Sequence, residues 1–110
     1  MRRVIIESPF KGDVEINKAY ARAAMRDSLL RGEAPYASHL IYTQPGVFND
    51  NDPVERQRGI DAGIAWGAVA DAVAVYTDLG MSEGMKYGVK KHKEAGRTVE
   101  FRSLPNWSRR

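Results

Sequence analysis

Residues 72–88 read AVAVYTDLGMSEGMKYG, and the fold turns on how that stretch divides. Residues 72–76 are an almost wholly apolar run of strand length, the pattern of a strand covered on both sheet faces. Asp78, Gly80, Ser82 and Gly84 then supply turn chemistry. From about Ser82 a helical pattern resumes and continues to Ala95, where Gly96 stops it. A strand emptying through glycines into a helix N-terminus is the βα half of a βαβ unit.

Working outward, residues 98–102 (TVEFR) alternate well enough for a last strand at an edge. Upstream, Asp52-Pro53-Val54-Glu55 opens a helix. Asp52 is its cap, Pro53 fits the first turn, and Glu55 stands where a capping box needs it. This helix is expected to run to about Ala70, with Gly59, Gly63 and Gly67 recurring every four residues so that a neighbouring backbone can pack close. Residues 3–7 (RVIIE) form a first short strand. Asp13 is an N-cap for a helix over residues 14–31, and Gly32 ends it. The aromatic and β-branched residues 36–43 (YASHLIYT) predict the second strand, with His39 inside it.

Strand and helix thus alternate from end to end, which predicts a parallel sheet with helices on both faces and right-handed crossovers. The expectation is a Rossmann/flavodoxin-like three-layer α/β sandwich, with a four-stranded parallel sheet in the order 2-1-3-4. It spans residues 1–104 as a single domain, followed by a short polar tail over 105–110 whose Trp107 is free to dock on a partner. In such a sheet the crevice opens where the order reverses, at the C-terminal ends of strands 1 and 3.

The chain has 110 residues, 43% hydrophobic and 28% charged, which fits one globular domain. Its net charge is +3, yet lysines and arginines are interleaved with fourteen acids. The small cluster Lys90, Lys91, Lys93 sits late in a helix, where cations suit the dipole. That distribution argues against nucleic acid and leaves small anions as the partners positive charge favours. Cysteine is absent, which excludes disulfide and thiolate chemistry and fits a reducing cytosol. No apolar stretch has the length of a leader or a membrane span.

Two loops border the predicted crevice. The one after strand 1, residues 8–13, holds Ser8, Lys11, Gly12 and Asp13; the one after strand 3, residues 77–82, holds Asp78, Gly80, Met81 and Ser82, with Gly84 just inside the last helix. Glycines permit close backbone approach, Ser82 offers a hydroxyl, and amides at the start of the last helix can seat a phosphate or carboxylate. The alternative at the same residues is a plain tight turn with Ser82 as an N-cap. Neither GxxxxGK[ST] nor GxGxxG occurs, so no nucleotide fingerprint stands behind the pocket. Asp78, directly after strand 3, and Glu83, in the first turn of the last helix, are the candidate catalytic carboxylates. Asp52 and Glu55 read as caps. His39 and His92 have no companions at metal-ligand spacing, so neither metal nor cofactor is expected. Without a Ser-x-Gly elbow, a Ser-His-Asp triad has little support.

The segments VIIESPFKGDVEINKAYARAAM and ADAVAVYTDLGMSEGM resemble the nucleoside 2-deoxyribosyltransferase-like superfamily. The resemblance is nearest to a branch of small uncharacterised phage and bacterial domains with an SPY-like first loop and a YxDxGxSxGM turn. It covers nearly the whole chain. It implies a cytoplasmic homo-oligomer, in a bacterial or phage-infected cell, that binds a nucleoside or its 5′-phosphate and cleaves or transfers at the N-glycosidic bond. By the same resemblance Ser8, Lys11, Gly12 and Asp13 border the sugar or phosphate, and Asp78, Gly80, Ser82, Gly84 and Met85 form the second wall. The sequence departs from the pattern at one decisive place. The family's nucleophilic glutamate, six residues after the serine, is Gly88 here. Asp78 or Glu83 would have to replace it. The alternatives are a non-catalytic sensor or sequestering protein for a nucleotide or ADP-ribose-like ligand, and an oligomeric interaction domain built on the glycine-spaced helix and Trp107.

Overall fold

The computed structural model describes residues 1–107. The elements run β1 (Arg2–Glu7), α1 (Val14–Leu30), β2 (Glu33–Tyr36), α2 (Ser38–Ile41), α3 (Pro53–Trp66), β3 (Ala72–Tyr76), α4 (Glu83–Glu94) and β4 (Val99–Arg102). The strands form one parallel sheet in the order β2-β1-β3-β4. This is the expected Rossmann/flavodoxin-like topology, with the reversal between β1 and β3.

Strand alternation sorts the core into two layers. Val4 and Ile6 of β1 and Ala74 and Tyr76 of β3 pack with Tyr20 and Ala24 of α1. Ile5, Val73 and Val75 point to the opposite face and pack with Met85 and Val89 of α4. Helix α3 lies against α2 and α4. All five residues of β3 are buried, as its apolar composition requires. Among the described residues, no helix is long and apolar enough to cross a membrane.

One ion pair ties the two edges of the sheet together. The Arg102 guanidinium of β4 donates to both carboxylate oxygens of Glu33 in β2, at 2.7 and 2.8 Å. Ser28 of α1 donates to the same carboxylate at 2.8 Å, and Arg102 also bonds the Tyr76 hydroxyl at 3.2 Å. The hydrogen bonds from Arg102, against the opposing cost of burial, hold the Glu33 carboxyl down to about 2. The same pairing raises Arg102 further above its already high range.

Helix ends follow local chemistry. Asp13 caps α1 by accepting from the Ile16 amide, and Gly32 leaves the helix at φ +80°. Asp52 caps α3 through the amides of Val54 and Glu55. The Glu55 side chain, however, bonds the Asn49 amide instead of closing a capping box. Ser82 caps α4, accepting from Met85 N at 3.2 Å.

Four expectations are corrected. The second strand is Glu33–Tyr36, ending where residues 36–43 were expected to begin it, and Ser38–Ile41 is a short helix. Burial of Glu33 against Arg102 draws the earlier segment into the sheet. Pro35 is tolerated there because β2 is an edge. Helix α3 ends at Trp66, short of Ala70. The glycines of α3 face their own chain. A Cβ on Gly63 would lie 2.3 Å from Ser38 Oγ, and one on Gly67 would lie 2.3 Å from Arg97 Nη1. The tail likewise docks inward: Trp107 stacks edge-on against Tyr20 with ring centroids 4.9 Å apart. The last residues of the expected tail, 108–110, lie outside the described residues.

Candidate functional site

The hollow sits where the topology places it, beyond the C-terminal ends of β1 and β3 and between α3 and α4. It gives about 70 Å³ to the centres of water-sized molecules and opens to solvent. A more apolar annex of about 50 Å³ on the same measure, with Tyr42 and Phe48 on its walls, shares Ser38, His39, Asp50, Arg56 and Ile60 with it.

Of the sequence-predicted residues, Ser8, Lys11, Ser82, Gly84 and Met85 line this hollow. The others do not. Gly12 and Gly80 take φ values of +109° and +84°, so they serve the turns themselves. Asp13 is the exposed cap of α1. Met81 packs against the α4-side core.

Both predicted catalytic carboxylates are placed elsewhere. Strand alternation sends Asp78 to the same side as Tyr76, toward α1. There it accepts from the Tyr20 hydroxyl at 2.6 Å and from the Leu104 amide at 2.8 Å. Its own amide donates to the Tyr20 oxygen. Burial, reinforced by the bond to Asp78, pushes the Tyr20 phenol well above its ordinary range. Asp78 is thus the anchor of the C-terminal segment. Glu83 points into solvent, its side chain 92% exposed and paired with Lys86.

Two carboxylates line the hollow: Asp50, paired with Arg56, and Glu7, the last residue of β1. Glu7 shares a face with Ile5 and so points toward α4. A Cβ built on Gly88 would lie 3.0 Å from Glu7 Oε2. The carboxylate therefore occupies the space that a side chain at position 88 would fill. It is not wholly hidden, with 17% of its side chain exposed. The signal in the sequence was the first charged residue after an apolar strand that ends at the switch point.

A cation was missed too. Arg56 extends from α3 until its Nη2 lies 3.1 Å from where a Gly84 Cβ would be, at the first turn of α4. Asp50 is near its Nε, at 3.7 Å. The first amides of a helix have no intrahelical acceptor and carry partial positive charge. A guanidinium over that same turn adds positive charge that suits an anion, partly offset by the Asp50 carboxylate paired with it in the same hollow. From Gly84 to Gly88, one turn of α4 covers about 6 Å.

His39 also enters the hollow, from α2 and not from a strand. Its Nε2 lies 2.7 Å from Ser8 Oγ. Loss of solvent pushes the imidazole down to about 4, so it is neutral at pH 7. Among the described residues no carboxylate bonds its other ring nitrogen, so the pair is not a triad. It presents a hydroxyl and a neutral ring beside Glu7, groups that hydrogen-bond sugar oxygens without adding charge. Among the described residues, no group of three or more His, Cys, Asp or Glu side chains is clustered to hold a metal.

Residues 2–102 match the family model described as Domain of unknown function (DUF7768). No curated protein matches the sequence. The family match extends from the first residue of β1 to the last of β4, the entire sheet, and the chain belongs to that family.

Proposed function

For this member of a family of unknown function, we propose that the hollow takes a nucleoside 5′-phosphate and that Glu7 attacks its anomeric carbon. The observation that carries the reading is the spacing along α4. Arg56 and the first-turn amides form an anion seat at Gly84, and a carboxylate stands over Gly88 one turn later. That is the reach of a phosphorylated sugar laid along the helix. The phosphate sits on Arg56, Lys11 and the amides of α4. The sugar faces Ser8, His39 and Glu7, and the flat base enters the apolar annex between Phe48 and Ile60.

In the reaction a Glu7 oxygen bonds to the anomeric carbon as the C–N bond breaks, and that electron pair leaves with the base. Water then opens the glycosyl ester. Its hydroxyl goes to the anomeric carbon and its proton to the base, and Glu7 is regenerated. The resemblance to nucleoside 2-deoxyribosyltransferases supports the same chemistry, with the carboxylate supplied by β1 instead of α4. A second reading, a binder without catalysis, is favoured by Gly88, because the resemblance implies a glutamate there.

The test is free-base release from the common deoxynucleoside 5′-monophosphates, followed by chromatography, alongside thermal shifts with the same compounds. Ligand at a hundredfold its Kd adds about 2.7 kcal/mol to stability. Glu7→Gln should stop release and keep the thermal shift. Arg56→Met should weaken binding by about tenfold or more, the worth of one charge-assisted hydrogen bond. Thermal shifts without any base release would overturn the cleavage and leave the binder. Flat melting curves with every nucleotide would overturn both.

A further inference from the structure

His92 lies on α4 one turn beyond Gly88, wholly buried at 0% exposure, and the chemistry above does not use it. Its Nδ1 is 2.9 Å from Arg97 Nη1. A guanidinium can only donate, so Nδ1 is the acceptor and the proton of the neutral ring is on Nε2. Nε2 faces Glu7 Oε1 at 3.6 Å and has no hydrogen-bond partner among the described residues. Arg97 is itself fixed, since the same Nη1 donates to the Ile64 carbonyl of α3 at 2.7 Å. Room for the pair exists because position 67 is glycine: a Cβ there would lie 2.3 Å from Arg97 Nη1 and 2.8 Å from His92 Cε1.

We propose that His92 is a positioning residue for Glu7, its Nε2–H aiming the carboxylate into the hollow while Arg97 locks the ring tautomer. The inference rests on the reading of Glu7 as the reacting group. A buried N–H without an acceptor is unfavourable, and Glu7 is the acceptor it faces. The carboxylate needs to come only about 0.6 Å closer to reach the ~3 Å of an N–H···O bond. Such bonds are commonly long before ligand binds and tighten with it. The arrangement also gives Glu7 a fixed partner on its buried side, so its free oxygen is the one presented to the sugar.

Imidazole nitrogen spectra of the full chain read the tautomer directly. The expected result is a pyrrole-type Nε2 and a pyridine-type Nδ1 for His92. Glu7→Gln should shift the Nε2 signal, and Arg97→Met should release the tautomer. In base release from deoxynucleoside 5′-monophosphates, His92→Phe should lower kcat by about 10–100-fold, the usual scale for orienting partners. KM should stay within about twofold. His92→Gln, which keeps a side-chain N–H, should recover most of the loss. An Nδ1-protonated ring, an Nε2 signal indifferent to Glu7→Gln, or equal losses in the Phe and Gln variants would overturn the proposal. If the wild-type protein releases no base, the spectra still decide the His92–Glu7 contact, so the two readings fail separately. If His92→Phe does not fold, Glu7→Gln and Arg97→Met carry the same decision.

Discussion

Replacing Glu33 by Gln keeps the side-chain shape but removes the charge that holds Arg102 across the sheet. The native pairing takes the Glu33 carboxyl from 4.5 to about 2, with Arg102 the main cause. Only 8% of that side chain is exposed, so solvent screens the pair little. At about 1.4 kcal/mol per pH unit, the difference corresponds to about 3 kcal/mol of stability. The folded state holds the carboxyl below its unfolded value, so this contribution is complete above about pH 4.5. It is lost as pH falls through about 2. Domains of this kind have a total stability of roughly 5–15 kcal/mol, so the loss is a large share.

The assay is urea unfolding of wild type and Glu33→Gln at 25 °C from pH 7 to pH 2. The variant should be less stable by about 3 kcal/mol at pH 7, with the gap closing to under about 1 kcal/mol near pH 2. Contributions from other groups largely cancel in the comparison. A gap that stays constant with pH would mean that Glu33 acts by shape or hydrogen bonding alone. A gap near zero at pH 7 would refute the claim that the ion pair holds the sheet edges together.

Asp78→Asn weakens the bonds to Tyr20 and Leu104 and should cost about 1–3 kcal/mol. It should leave nucleotide thermal shifts unchanged, and lost ligand response in a folded variant would return Asp78 to the site. Gly63→Ala places a methyl 2.3 Å from Ser38 Oγ and should destabilise the chain by about 1–3 kcal/mol. Its mass on a sizing column should stay the same, because the glycine faces its own chain. Burial takes His39 from 6.5 to about 4, so its contribution is complete above about pH 6.5 and is lost as pH falls through 4. His39→Asn should flatten the stability–pH curve in that window, and an unchanged slope in urea titrations would contradict the assignment.

Local chemistry determined much of this protein. Covalent and hydrogen-bonding preferences act within a few residues, so the caps Asp13, Asp52 and Ser82 and the stops at Gly32 and Gly96 were legible in order. The wholly apolar residues 72–76 named the central strand, and the alternation of elements named the 2-1-3-4 sheet and the place of its crevice. Ser8, Lys11, Ser82 and Gly84 followed from that place, and Met85 from the family resemblance. Tertiary structure decided what depends on partners far apart in the chain. The pairing of Glu33 with Arg102, 69 residues away, set where β2 lies. The direction of Asp78 was decided by Tyr20, 58 residues earlier. The carboxylate over Gly88 comes from Glu7 and the cation over Gly84 from Arg56, each on a different element. A side chain's neighbours across a fold depend on helix crossing and strand twist, which no window of adjacent residues encodes.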